Sequence, residues 1–318
     1  MIKAGLMLAV AQAIALAADP GLLSLVMPDA KVIAGIQVDR GKNSPFARYV
    51  LSHMQPDDEG FTKFVAETGF DPRRDLTEIL MASSWSDSAN AHWLILARGV
   101  FNPGKVASVV QLNGGTITNF QGVNLLSGGG SGPKHDMDSV IAFLDASTAV
   151  MGDPTSVKAA IARGPANGAT VTSLAGKVRQ VSANNDFWFV TLVPLSEFAG
   201  VMPDPNLNGA MKGNLLQAVN QASGGIRFSD PVQISAEIVA RSDKDAQALV
   251  DVVRFLAGLI QLNREKNATA AEVATLADTL NLKTAGNVMT LSLAIPEATL
   301  ERIVDGVHVG KHSAAVTK

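Results

Sequence analysis

The stretch Val140 to Gly164, VIAFLDASTAVMGDPTSVKAAIARG, leaves little choice of local structure. Ile141 and Phe143 alternate with Ala142 and Leu144, and Asp145-Ala146-Ser147 turns the chain before Thr148 to Met151 returns as a second strand. Asp153 then offers a side-chain cap and Pro154 suits the first helical position. Val157, Ala160 and Ile161 recur at the spacing of one helix face, and Gly164 permits a left-handed stop. A looser copy runs from Leu282 to Gly306, LKTAGNVMTLSLAIPEATLERIVDG. It turns at Ala285-Gly286-Asn287, lines its inner face with Met289, Leu291, Leu293 and Ile295, and opens a helix at Pro296. A hairpin followed by a capped helix, present twice, predicts two repeats that each close on this unit.

The rest of the chain fits the same scheme. Lys31 to Val38, the pair Glu78 to Ser84 and His92 to Gly99, Ile117 to Leu126, Asp186 to Leu192 and Val232 to Ala240 read as strands or hairpins. Ser44-Pro45, Asp71-Pro72, Asn102-Pro103 and Asp153-Pro154 each place a capping residue before a proline that starts a helix. Leu215 to Ala222 is expected to be helical and to end at Gly224-Gly225; Ser242 to Gln261 and Ala270 to Leu280 are two more helices. In the longer one Leu249, Val252, Val253, Leu256, Leu259 and Ile260 make a broad stripe whose burial would contribute about 10 kcal/mol before entropy is subtracted. The expected fold is therefore α+β, with two similar halves, each a mainly antiparallel sheet with helices packed on one face. The boundaries are a first repeat over 19–170, a second over 171–307 and a polar tail at 308–318, with Pro165 to Ala175 as the connector.

Residues 1–18 stand apart. Lys3 gives a positive start, Ala4 to Ala18 is apolar apart from Gln12 and Gly5, and Ala15-Leu16-Ala17 supplies a small-x-small exit before Asp19-Pro20. This is the pattern of a secretory signal peptide cut between Ala17 and Ala18 or one residue later, and it predicts an exported, periplasmic or extracellular protein with no membrane span after cleavage. The apolar run is shorter than the ~20 residues of a spanning helix. The 318 residues include no Cys, which excludes disulfides, thiolate metal sites, Cys nucleophiles and Cys-linked lipid. A formal net charge of −3 without a basic cluster gives no footprint for nucleic acid.

The usual chemistry-bearing patterns are missing. Of the five histidines, His308 and His312 bracket Gly310 in the tail, and His135-Asp136-Met137-Asp138 lies at the end of the Gly-rich tip Ser127 to Asp136, where polar residues are expected anyway. Gly41-Lys42-Asn43-Ser44 lies between a strand and a helix but lacks the spacing of a phosphate-binding loop, and Gly306 to Lys311 has no helix after it. No Gly-x-Ser-x-Gly elbow is present, and Asp57-Asp58-Glu59 reads as a solvated turn. Trp93 and Trp188 fall within strands as core or sheet-face residues; Trp85 precedes a loop. No catalytic, cofactor-binding or metal-ligating residue is nominated, and no cofactor is expected.

Gly69-Phe70 before Asp71-Pro72, the segment Gly99 to Lys105 (GVFNPGK), the unit Phe143 to Ile161 and the exported start together resemble a loose group of exported bacterial proteins of unknown function, often duplicated. The resemblance implies an α+β fold and export, and carries no catalytic residues. The expected role is a non-enzymatic binding or scaffold module of the cell envelope, with a protein or an envelope polymer as partner. A secreted hydrolase using carboxylates distant in sequence, and a membrane-anchored chaperone-like protein, are the alternatives. An apolar or aromatic groove between the halves would favour the first reading, and converging acids the second.

Overall fold

The computed structural model of the chain describes residues 17–42, 44–46, 48–49, 59–85, 92–128, 139–164, 172–194, 197, 216–262, 264–265 and 268–302. The leader up to residue 16, His53, Asp57, Asp58, the segment 129–138, the connector 165–171 and the tail 308–318 lie outside the described residues.

The strands are β1 (Val32–Gln37), β2 (Leu76–Ser83), β3 (Trp93–Gly99), β4 (Thr116–Phe120), β5 (Val123–Ser127), β6 (Val140–Phe143), β7 (Thr148–Gly152), β8 (Phe187–Thr191), β9 (Val219–Arg227), β10 (Val232–Ala240), β11 (Asn281–Ala285) and β12 (Val288–Ile295). They form one twelve-stranded sheet in the order β11-β12-β10-β9-β8-β1-β2-β3-β7-β6-β5-β4, antiparallel at every junction. Helices among the described residues include α1 (Pro20–Leu25), α2 (Val38–Gly41), α3 (Glu59–Thr68), α4 (Pro72–Asp75), α5 (Pro103–Leu112), α6 (Pro154–Arg163), α7 (Ala175–Asn184), α8 (Asp243–Leu262) and α9 (Ala268–Asp278). The fold is thus α+β with a large antiparallel sheet. The expectation of separate sheets is corrected: β1 pairs with β8 from Val32↔Thr191 to Ile36↔Phe187, which joins the strands of both sequence halves edge to edge.

The register determines which side chains share a face, because successive residues of a strand point to opposite sides. Ile33, Leu80, Ala82, Leu94, Leu96, Val150, Trp188 and Val190 fall on one side, and α1, α6 and α7 pack on it through Leu22, Leu23, Val157, Ala160 and Val178. All of these are buried. On the opposite side α8 lays Ala246, Leu249 and Val250 against Ala222, Ala240 and Met289. Helices therefore flank both faces, and not one as expected. Each face of so wide a sheet needs its own cover, and the helix after β10 reaches the side the earlier helices leave open.

Local chemistry accounts for most boundaries. Asp71, Asn102 and Asp153 each cap a helix by accepting a backbone N–H, from Arg73 at 3.0 Å, Lys105 at 3.0 Å and Ser156 at 2.9 Å. Asp19-Pro20, expected only as a break after the leader, caps α1 in the same way, accepting from Leu22 N–H at 3.0 Å. At the centre of the sheet Gly35, Trp188 and Gly225 stand in one rank, and the indole of Trp188 lies over Gly35, where an added Cβ would fall 2.4 Å from Cζ2.

Two segments depart from the sequence expectation. Val219 to Arg227 is a strand and not the end of a helix at Gly224-Gly225. Pairing with β8 and β10 on both sides overrides local preference, and an added Cβ on either glycine would fall 2.4 Å from a neighbouring carbonyl oxygen, Ser235 O or Phe187 O. Ala175 to Asn184, assigned to no element by pattern, is a helix that covers Trp188 with Val178 and Val181.

Candidate functional site

The residues singled out from sequence do not converge. His92 Nδ1 stands 3.4 Å from Asp153, but that carboxylate already accepts backbone N–H groups from Ser156 and Trp93. Asp145, in the opening unit, is spent on its own turn, accepting from Ser147 N–H at 2.6 Å. Gly41 belongs to the short α2, and Lys42 is paired with Asp39. Among the described residues no three His, Asp or Glu side chains group as metal ligands. Trp188 is fully buried, and Trp93 is half-buried on the face that carries α8.

That face has a feature the alternation in the sequence half reveals. Along β1, β2, β3, β6 and β7 the residues facing the opposite core are buried, with Arg98 half-buried, while those on this side are half-buried or exposed and still apolar: Ile36, Ile79, Met81, Ile95, Met151 and Ile141 run across five adjacent strands. Met81 is 53% exposed. At the β6 side a row of rings continues the surface, with Phe64–Phe70, Phe70–Phe101 and Phe101–Phe143 centroids 6.2, 5.3 and 5.4 Å apart. At the other end α8 turns Val252, Phe255, Leu256, Leu259 and Ile260 outward, a second i, i+3, i+4 stripe, and Phe255 is 66% exposed. The expected burial of this helix is thus corrected: Leu249 is buried and Val253 half-buried, while Val252, Leu256, Leu259 and Ile260 are exposed. The helix is apolar on two faces and the sheet occupies one of them. Leaving these five side chains roughly half exposed leaves on the order of 5 kcal/mol of apolar transfer unrealised.

The clefts hold few acids. Between α7 and strands β9, β10 and β12 lie two adjoining hollows of about 310 and 470 Å³, which share Asn184, Asn185, Ser235 and Ser292. Their one carboxylate, Glu237, is bound to Lys177 at 2.6 Å. A cleft of about 530 Å³ between α3 and α5 likewise holds a single acid, Glu67, near Lys105. A glycosidase-type reaction needs two carboxyl groups flanking one cleft, and none of these supplies them.

A polar cluster lies on the core side, around the buried Thr148. Arg98 binds both oxygens of Asp19 at 3.0 and 2.9 Å and also donates to Thr148 Oγ1, which in turn donates to Asp145 at 3.1 Å. Burial works against ionisation of Asp19, but the Arg98 contacts together with the backbone N–H groups of Leu22 and Gly21 outweigh it and hold the carboxyl below its ordinary value. Glu78 sits beside this group, 5% exposed, with both carboxylate oxygens on the backbone N–H of Asp19 at 3.1 and 3.2 Å. Burial pushes it up to about 7. Strand parity contained this signal, since Glu78 is in phase with the inward-facing Leu80 and Ala82.

Among the described residues no helix is long and apolar enough to cross a membrane. No family model matches the chain, and neither does any curated protein. A solved structure titled "Structure of crystal form I of TP0453" is similar at 11% identity with a TM-score of 0.46, over 91% of this chain and 97% of that one.

Proposed function

We propose that the chain is an exported, non-catalytic binding module of the cell envelope that docks an apolar segment of a protein partner on the face carrying α8. The observation that carries this reading is the run of half-exposed apolar side chains across β1, β2, β3, β7 and β6, with the outward stripe of α8 on the same side. Apolar side chains gathered on one surface mark interaction sites on soluble proteins. A protein partner is favoured over an anionic lipid surface by the charges of α8. Asp243, Asp245 and Asp251 outnumber Lys244 and Arg254, whereas helices that lie on membranes carry a basic polar face.

We further infer that residues 19–170 and 171–307 are two copies of one unit, with a leader in residues 1–18 cut between Ala17 and Ala18 or one residue later, and 308–318 a tail. The supporting pattern is the strand order outward from the β1–β8 seam. It runs β1-β2-β3-β7-β6 in one direction and β8-β9-β10-β12-β11 in the other, with β4 and β5 added to the first. In both, a terminal hairpin adds its second strand to the third strand of the unit.

Site-specific photocrosslinkers at Met81 and at Phe255 in the exporting cell test the docking reading. It expects adducts with the same envelope protein from both positions, lost when the other position is changed to Asp, and none from a probe at Lys158 on the opposite face. Absence of protein adducts at both positions, or adducts with lipid alone, overturns it.

A further inference from the structure

Ala18 belongs to the core. It is 1% exposed, and its backbone N–H donates to Ser182 Oγ of α7 at 2.9 Å, while Ala17 before it is half-buried. The next amide, that of Asp19, offers one proton to both oxygens of Glu78. The charged groups packed around Glu78 are otherwise engaged. Arg98, its cross-strand neighbour on β3, spends its guanidinium on Asp19 and Thr148, and Asp145 accepts from Thr148. Gln37, its neighbour on β1, is neutral. Arg40 of α2 binds the carbonyls of Ser182 and Asn185 and the carboxylate of Asp186. Among the described residues no Lys or Arg is paired with Glu78. The site is a buried carboxyl group beside a buried backbone nitrogen, with no cation paired to it among the described residues.

We propose that hydrolysis of the Ala17–Ala18 bond supplies that cation, and that Glu78 with Ser182 forms a receptor for the mature amino terminus. This rests on the leader reading stated above. In the step, the peptidase adds one water across the bond: hydroxyl goes to the Ala17 carbonyl carbon and a proton to the Ala18 nitrogen. At neutral pH the new carboxyl releases a proton and the new amine binds one. A buried ammonium needs a counter-charge as much as a buried carboxylate does, and here each lies one peptide unit from the other. Before the cut, Glu78 is a buried acid whose ionisation opposes folding; after it, the same side chain clamps the amino-terminal segment between β2 and α7. Removal of the leader thereby converts a destabilising group into a stabilising one.

The test compares the full precursor, accumulated with export blocked, with the exported product, each with and without Glu78→Gln, by urea unfolding at pH 8. In the precursor the substitution is expected to raise the folding equilibrium constant about a hundredfold, since a carboxylate moved from 4.5 to about 7 opposes folding by that order. In the product it is expected to lower the constant at least tenfold. The same direction of change in both forms overturns the receptor. N-terminal sequencing separates this from failure of the leader reading. A start at Ala18, or at Asp19 whose nitrogen already lies on Glu78, supports both; residues before Ala18 retained in the exported protein sink both. Should the product variant fail to fold, the wild-type product still decides. Its α-amine, followed by the pH dependence of reductive methylation, is expected to titrate above the ordinary value of about 8. An ordinary or lower value overturns the proposal.

Discussion

Gly35→Ala is the sharpest probe of the central packing. An alanine Cβ would lie 2.4 Å from Cζ2 of Trp188, 2.7 Å from Cε2 and 3.0 Å from Nε1. Carbon atoms rest near 3.5–4.0 Å, so the indole would have to retreat by about 1 Å. It is fully buried, and Gly225 opposite it stands against Phe187 O, so there is little room to yield. Overpacking of this kind costs about 3 kcal/mol. Trp188→Leu alone removes the ring and leaves a cavity, at a cost of about 3 kcal/mol. Part of that is offset because the buried Nε1–H, which has no hydrogen-bond acceptor, disappears with it. The double variant should be much less unstable than the sum, because the alanine methyl enters space the indole vacated. A coupling of about 2 kcal/mol is expected. Urea unfolding of the four chains, followed by far-UV circular dichroism and compared at a common slope, measures it. Additivity within about 0.5 kcal/mol would show that the two residues do not share this space, and the reasoning would fail.

The other predictions are narrower. Asp153→Ala removes the cap on Ser156 N–H and the acceptor for Trp93 N–H, and should cost about 2 kcal/mol in denaturant titration, whereas His92→Ala should change little. Asp19 has its folded-state value depressed by Arg98, so its stabilisation is complete above the unfolded value of 3.8 and fades as pH falls through the folded one. Arg98→Met should therefore show a shallower loss of stability than the parent between pH 5 and 2, roughly the span of that titration. In the uncut chain Glu78 behaves oppositely: its value is raised from 4.5 to about 7, so stability is full below pH 4.5 and declines as pH rises through 7. The decline should amount to about 3 kcal/mol and vanish in Glu78→Gln. Phe255→Ser, on the outward face of α8, should leave stability within about 0.5 kcal/mol while lowering binding of an apolar fluorescent dye.

What was legible in the sequence is whatever a few neighbouring residues decide. The Asp or Asn before a proline foretold α4, α5 and α6 because the cap bonds and the proline φ are satisfied within four residues. Strict alternation in Val232 to Ala240 and Val288 to Ile295 foretold which side chains share a face, because strand geometry has a fixed period of two. Leu249 and Val252 look alike in the helical pattern of α8, yet only Leu249 is buried, because a period says which residues align and not which stripe meets the sheet. Val219 to Arg227 became a strand through hydrogen bonds to residues Phe187–Thr191 and Gln233–Ala240 that no local signal encodes. The same holds for the candidate sites. The apolar face exists because five separate strands align the residues of one phase. The buried pairing of Glu78 with the Asp19 amide exists because α1 folds back over β2 across 59 positions of sequence. By itself, then, the sequence determined most of the elements and their caps. Only the tertiary structure decided that all strands join one sheet and which faces remain uncovered, because those depend on burial shared between residues far apart in the chain.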